Sequence, residues 1–293
     1  MSTGIFVSMN NKVKIIECPR DALQGYDRIV STADKADYIN LLIKCGFDTI
    51  DFGSFVSAKA IPQMKDTAEV LKRLNLENST SKLLAIVANM RGAEDACEFD
   101  EISYLGFPYS VSETFQQRNT NKSCKEALIL IEHLQSLCVR NHKELVVYIS
   151  MAFGNPYGDI WNTDIVLNTA DQLTKMGIRI ISLADTVGSA DQGSIQTLFS
   201  TLIPAFPDTE FGAHFHSHPS NWKLKLEASF HSGCRRYDGA IKGFGGCPMA
   251  NDELVGNMDT INLLDFFKDH NQITGVNTES FMNAVKKASE IFI

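Results

Sequence analysis

Two periods alternate along this chain. Short runs dense in apolar and β-branched residues occupy positions 13–17, 47–51, 83–88, 101–105, 145–151, 178–183, 211–215 and 237–241. Runs of that length and makeup predict eight buried strands. Between them, apolar residues return every three or four positions. That spacing predicts helices at 33–45, 62–74, 122–139, 163–176, 194–206 and 222–231, with a short one near Ala93. In 33–45 the stripe is Ala36, Ile39, Leu42 and Ile43. Ser31-Thr32 stands where an N-cap belongs, and Gly46 where a helix ends. Gly177 stops the helix at 163–176, and Pro204 and Pro207 close the one at 194–206. Residues 20–25 predict a loop. Two trailing helices, 259–267 and 278–292, finish the chain.

Alternating strands and helices, with no low-complexity linker, predict an α/β architecture: one TIM (β/α)8 barrel with additional C-terminal helices. The expected domain is single and spans 1–293, with the barrel over about 13–270 and a helical extension over about 271–293. An open doubly wound sheet is the alternative. The positions of the reactive side chains favour the barrel. Arg20-Asp21, Asp51, Asp185, His214, His216 and Cys247 fall at or just after strand ends. A barrel gathers all strand C-termini on one rim, whereas an open sheet spreads them along an edge.

Composition narrows the partners. The 293 residues are 44% hydrophobic and 21% charged, with a formal net charge of −8 and no basic cluster. That balance is ordinary for a globular protein and argues against nucleic acid or an anionic membrane as partner. No apolar run approaches the ~18 residues of a membrane span, and residues 1–10 lack the layout of a signal peptide. The seven cysteines are Cys18, Cys45, Cys97, Cys124, Cys138, Cys234 and Cys247, an odd count without a CxxC pair. That pattern points to reduced thiols and a cytoplasmic setting. The apolar stripe Phe281, Val285, Ala288, Ile291 and Phe292 packs on the barrel or on a partner chain, and a homo-oligomer, a dimer, is expected.

Side chains two apart on a strand point the same way, so His214 and His216 can both reach one metal ion. Asp21, at the end of the first strand, is the candidate third ligand, and Asn257 a further oxygen ligand. Two imidazoles and a carboxylate leave positions open for water or substrate, and mixed N and O donors suit Mg2+, Mn2+ or Zn2+. Arg20 sets a fixed cation beside them, with a planar fork that suits a carboxylate or a developing enolate oxygen. Cys247 sits in Gly245-Gly246-Cys247-Pro248, where glycines leave the thiol accessible as nucleophile or general acid. For the other six cysteines packing is the better reading. Asp51 and Asp185 stand at strand ends, where each orients a ligand or base from behind or caps the next helix. Gly154-Asn155-Pro156-Tyr157-Gly158 reads as a turn, and His218 as a loop residue.

Over about 13–267 these stretches together resemble the 3-hydroxy-3-methylglutaryl-CoA lyase family. Pro19-Arg20-Asp21-Ala22-Leu23-Gln24 is similar to its PRDGLQ, and Ser54-Phe55-Val56-Ser57-Ala58-Lys59 to its SFVSPK. Ser182-Leu183-Ala184-Asp185-Thr186-Val187-Gly188 resembles SLxDTxG, His214-Phe215-His216 its HxH, and Gly243-Phe244-Gly245-Gly246-Cys247-Pro248 its GLGGCP. The chain departs from the pattern at Asp51, where the family has Glu, and at Ser217-His218, where it has Asp-Thr. The resemblance implies a TIM barrel and a divalent cation, Mg2+ or Mn2+, on Asp21, His214, His216 and Asn257. It implies Arg20, Asp21, His214 and Cys247 as catalytic groups with Asp51 and Asp185, and substrate contacts from Gln24, Arg20, Gly246 and Asn155. The implied substrate is an acyl-CoA, 3-hydroxy-3-methylglutaryl-CoA, cleaved to acetoacetate and acetyl-CoA. A Claisen-type synthase joining acetyl-CoA to a 2-oxo acid is the first alternative. A metal-holding barrel without turnover is the second.

Overall fold

The computed structural model describes residues 12–246 and 255–292. In order, the elements are β1 (Lys14–Glu17), α1 (Pro19–Gln24), α2 (Thr32–Cys45), β2 (Thr49–Ser54), α3 (Thr67–Leu71), β3 (Lys82–Ile86), α4 (Met90–Cys97), β4 (Ile102–Ser110) and α5 (Glu113–Thr120). There follow α6 (Cys124–Arg140), β5 (Glu144–Ser150), α7 (Thr163–Lys175), β6 (Ile180–Asp185), α8 (Gln192–Ala205), β7 (Glu210–Phe215), α9 (Trp222–His231), β8 (Arg236–Gly239), α10 (Thr260–Asp269) and α11 (Thr278–Ile291). Consecutive strands pair in parallel, and β8 closes on β1 with Lys14 opposite Arg236 and Glu17 opposite Gly239. The result is a closed eight-stranded barrel, as the sequence predicts.

Local chemistry explains the helix boundaries. The Ser31 hydroxyl accepts from the Asp34 N–H at the start of α2, and Gly46 ends that helix at φ 78°. α6 opens with a capping box in which Ser123 and Glu126 each serve the other's backbone. Its buried stripe, Ala127, Leu130, Ile131, Leu134, Leu137 and Cys138, faces the sheet and joins the large apolar core between strands and helices. A second, smaller cluster of Leu84, Ile86, Tyr104, Val146, Tyr148 and Ile180 fills the barrel interior. α11 packs along α2, so the apolar stripe is covered by the chain itself. Its end places Phe292 between Tyr26 and Phe244, at ring distances of 5.3 and 4.6 Å. No helix among the described residues is long and apolar enough to cross a membrane.

Three helices and half a strand depart from the sequence expectation; in place of the helix at 62–74 stand a 3-10 turn at Pro62–Met64 and the short α3. Residues 19–24 form α1 where a loop is predicted; six residues are too few to show a period, and Pro19 presets the first turn. α5 is similarly hidden, because it buries only Phe115 and Gln116. β4 runs on to Ser110 through Gly106 and Pro108, residues that read as breakers. Its pairing with β3 ends at Gly106, so beyond that point the missing N–H of Pro108 costs no bond on that side.

β1 and β8 are tied to the following turns by a carboxyl inside the wall. Glu17 is fully buried; it accepts from the Ile241 N–H at 2.9 Å and the Thr260 hydroxyl at 2.6 Å. Burial pushes this carboxyl up to about 8 from its ordinary 4.5, although both bonds pull it down. Between those two values the folded chain holds a proton that the unfolded chain has released. Stability therefore falls as pH rises through that window, by roughly 1.4 kcal/mol per unit at most. Thermal melts from pH 5 to pH 8.5 should show the decline, and Glu17→Gln should flatten it. An equal slope in both proteins would refute this assignment.

Candidate functional site

Pro19 starts α1 immediately after β1, so Arg20 and Asp21 stand on the C-terminal rim. The Arg20 guanidinium organises that side of the rim. Nε donates to Asp51 Oδ2 at 3.0 Å and Nη2 to the same oxygen at 2.5 Å; Nη1 donates to Asp21 Oδ1 and Gln24 Oε1, both at 2.8 Å. Of the five guanidinium N–H groups, four are thereby committed and one on Nη2 is left. Burial opposes charge on Asp51, and the Arg20 fork opposes that in turn. Although one methylene shorter than Glu, Asp51 reaches the fork with both oxygens.

Across the rim, β7 presents both histidines. The ligand atoms of Asp21, His214 and His216 lie within 4.8 Å of one another, with His214 Nε2 3.9 Å from Asp21 Oδ2. That oxygen is buried and has no hydrogen-bond partner among the described residues. Burial alone would raise Asp21; Arg20, then His214 and His216, reverse this and hold it at about 2. His216 is pushed down to about 4, first by burial and then by His214. Each ring has its inner nitrogen engaged: His216 Nδ1 meets the Val255 carbonyl at 2.9 Å, and His214 Nδ1 meets Asp238 Oδ2 at 3.0 Å. Carbonyls and carboxylates only accept, so both Nδ1 atoms carry a proton; His216, pushed down, offers a lone pair at Nε2, and His214 does so once its ring is neutral, against the upward pull of Asp238 and Asp21.

Asn257 completes the cluster. It bridges to His216 in an isolated antiparallel pair, its Nδ2 donates to the Phe244 carbonyl at 2.9 Å, and its amide also hydrogen-bonds the Asp21 carboxylate, so the side chain stands at the cluster with an amide oxygen to offer. Gly245 makes this approach possible. A Cβ there would stand 2.6 Å from the Asp21 carbonyl oxygen and 2.8 Å from Asn257 Nδ2, and its φ is +91°. An ionised carboxylate with an orphaned oxygen, two imidazole lone pairs and an amide oxygen fit a divalent cation.

The rim opens into a cavity of about 540 Å3, lined by Arg20, Asp21, Gln24, His214 and His216 among others. Val56, Ile61, Ile86, Ala88 and Pro108 add apolar lining, and Arg118 lies among the other lining residues. Thr186 also lines it while accepting from the Met151 N–H.

Two expectations need correction. Asn155 does not line the cavity. Its Oδ1 accepts from the Tyr157 and Asp159 N–H groups and its Nδ2 donates to the Asp159 carbonyl, so three of the amide's four hydrogen-bonding positions close its own turn. Asp185 does not face the cavity either. It is bonded to Lys225 and to the Ala190 N–H and is 1% exposed; it orients the wall from behind instead of touching substrate. Cys247 lies outside the described residues, and Gly246 ends the described part of its loop. His218 is a loop residue, as expected.

Sequence reasoning missed Asp238 and Lys225. Asp238 comes level with His214 only through the register of β7 and β8, since Ala213 pairs with Tyr237, and that register is not written in the local pattern. Lys225 left no signal, because a lysine on an outer helix usually faces water.

A family model described as HMGL-like matches residues 12–287. The chain is 31% identical over 280 residues to the hydroxymethylglutaryl-CoA lyase of Bacillus subtilis, covering 95% of this chain and 93% of that one. It is 30% identical over 281 residues to the 3-hydroxy-3-isohexenylglutaryl-CoA/hydroxymethylglutaryl-CoA lyase of Pseudomonas aeruginosa, with coverages of 95% and 92%. Among solved structures, the Bacillus subtilis HMG-CoA lyase superposes with a TM-score of 0.89 at 31% identity, covering 96% and 93%. An HMG-CoA lyase from Acinetobacter baumannii, in complex with coenzyme A and 3-methylmalate, gives a TM-score of 0.90 at 26% identity, covering 97% and 92%.

Proposed function

Because the chain belongs to the HMGL-like family, we propose that it cleaves 3-hydroxy-3-methylglutaryl-CoA to acetoacetate and acetyl-CoA. The observation that carries the reading is the cluster of Asp21, His214 and His216, with a carboxylate oxygen that has no hydrogen-bond partner among the described residues and two imidazole rings held at Nδ1. Asp21, His214, His216 and Asn257 would hold a divalent cation, and the hard oxygen donors favour Mg2+ or Mn2+. When bound, such an ion polarises the substrate's tertiary hydroxyl and lowers its pKa.

The chain's own groups supply the remaining steps. Asp21 would accept the hydroxyl proton, because His214, with Nδ1–H turned to Asp238 and Nε2 to the cation, has no nitrogen left for it. The carbinol oxygen becomes the ketone of acetoacetate as the carbon–carbon bond breaks. The bond's electron pair goes to the carbon alpha to the thioester, and the charge spreads onto the thioester oxygen. The uncommitted Nη2 hydrogen of Arg20 would meet that oxygen, while Asp51, Asp21 and Gln24 hold the guanidinium still. Cys247, the residue after Gly246, would return a proton to the departing carbon. The free thiols among the described residues are consistent with a reducing cytoplasm as the compartment.

Purified protein with Mg2+ or Mn2+ should release acetoacetate from 3-hydroxy-3-methylglutaryl-CoA. EDTA should abolish the activity and added metal should restore it. Turnover that persists unchanged in EDTA would sink the metal-dependent reading, and free CoA released only with 2-oxo acids would make the protein a synthase.

A further inference from the structure

Asp238 has no place in the chemistry described so far, yet it is one of the most deeply buried charged groups in the chain. Its side chain is 1% exposed. Oδ2 lies 3.0 Å from His214 Nδ1, and Oδ1 has no hydrogen-bond partner among the described residues. Two positions earlier on the same inward face of β8, Arg236 is equally buried, and none of its three guanidinium nitrogens has a hydrogen-bond partner among the described residues. Its closest carboxylate oxygens, on Glu210 and Asp48, are at 3.6 and 3.8 Å. Gly212 makes room for this side chain, since a Cβ there would stand 3.1 Å from Arg236 Cδ. A cation and a carboxylate thus run through an interior otherwise filled by Leu84, Val146 and Ile180. Burying such charges is costly, and neither points toward the helices, so packing does not account for them.

We propose that Asp238 is a positioning residue of the metal centre. It fixes the His214 ring so that Nδ1–H faces the barrel core and the Nε2 lone pair faces Asp21 and His216, with Arg236 as its buried counter-charge. A metal-binding imidazole that donates its other N–H to a carboxylate is held in orientation and made a stronger donor. His216 is held differently, by the Val255 carbonyl, so the two rings are anchored to independent parts of the fold. Cys18, His214 and Asp238 also bring ligand atoms near one another. The 3.0 Å separation of Nδ1 and Oδ2, however, accommodates a shared proton and not an intervening ion.

The inference rests on the proposed metal centre, and the test separates the two. Mn2+ affinity is measured by calorimetry for wild type, Asp238→Asn and Asp238→Ala, alongside thermal melts and the histidine ring N–H resonances. Asp238→Ala should weaken Mn2+ binding roughly 10- to 100-fold and lose the protected Nδ1–H signal of His214. Asp238→Asn, which keeps an acceptor oxygen, should fall between the two. Folded Asp238→Ala with wild-type Mn2+ affinity would overturn the proposal. If Asp238→Ala does not fold, folded Asp238→Asn with unchanged affinity overturns it equally. A second equivalent of Cd2+ that disappears in Cys18→Ser would make Asp238 a ligand in its own right and also overturn it. Wild type that binds no Mn2+ would bring down the metal centre itself.

Discussion

Arg20→Gln should lower kcat for thioester cleavage by about 10²- to 10³-fold, the usual effect of losing a donor aimed at a developing oxyanion. Glutamine keeps a donor amide but loses the fixed charge and the fork. Arg20→Lys should fare little better. A single ammonium cannot span Asp51, Asp21 and Gln24 together as the guanidinium does. The substitution also leaves Asp51 buried without its partner, and burial already presses that carboxyl upward. Stability should therefore drop along with activity, which by itself would leave the cause ambiguous. The double variant Arg20→Met/Asp51→Leu removes both charges from the same buried locus. It should recover most of the lost stability and none of the lost turnover. Single-turnover rates and thermal melts on all three proteins decide the matter. Arg20→Gln within tenfold of wild type would show that the guanidinium does not carry the charge of the reaction.

How much of this was legible in the residues depends on what each one answers to. Most of the strands were readable because a strand walled in on both sides is largely apolar, as the run at 145–151 is, whereas β8 carries buried Arg236 and Asp238. Arg20, Asp21, His214 and His216 were readable because strand alternation and strand ends are local facts. The partners that hold those groups were not. Whether Asp185 faces the cavity depends on a lysine 40 positions later, on a helix outside the barrel. Whether Asn155 is available depends on the fold of its own turn. Asp238 becomes meaningful only once β7 and β8 are in register. Side chains whose role is set by a tertiary neighbour leave no period, so pattern reading passes over them.

Lys225 is the extreme case, and its replacement should be the most damaging to the fold. It rises from α9 into the wall with its side chain 2% exposed. All of its ammonium contacts are inward: Asp185 Oδ2, the Gly188 carbonyl at 2.9 Å and the His216 carbonyl at 2.8 Å. One cation therefore joins the ends of β6 and β7, and it fixes the backbone of one proposed metal ligand. Lys225→Met preserves the stem but leaves Asp185 buried and unpaired with two carbonyls unsatisfied. Breaking a buried pair in this way costs about 3–5 kcal/mol, a fall in Tm of roughly 6–10 °C for a domain of this size. Removing the stranded charge as well, in Lys225→Met/Asp185→Leu, should return part of that loss. It should not restore Mn2+ affinity, because the His216 carbonyl stays unanchored. A Lys225→Met protein that melts with wild type would mean that the ammonium is dispensable to the wall. One that melts early yet binds Mn2+ normally would mean that His216 takes its position from Val255 alone.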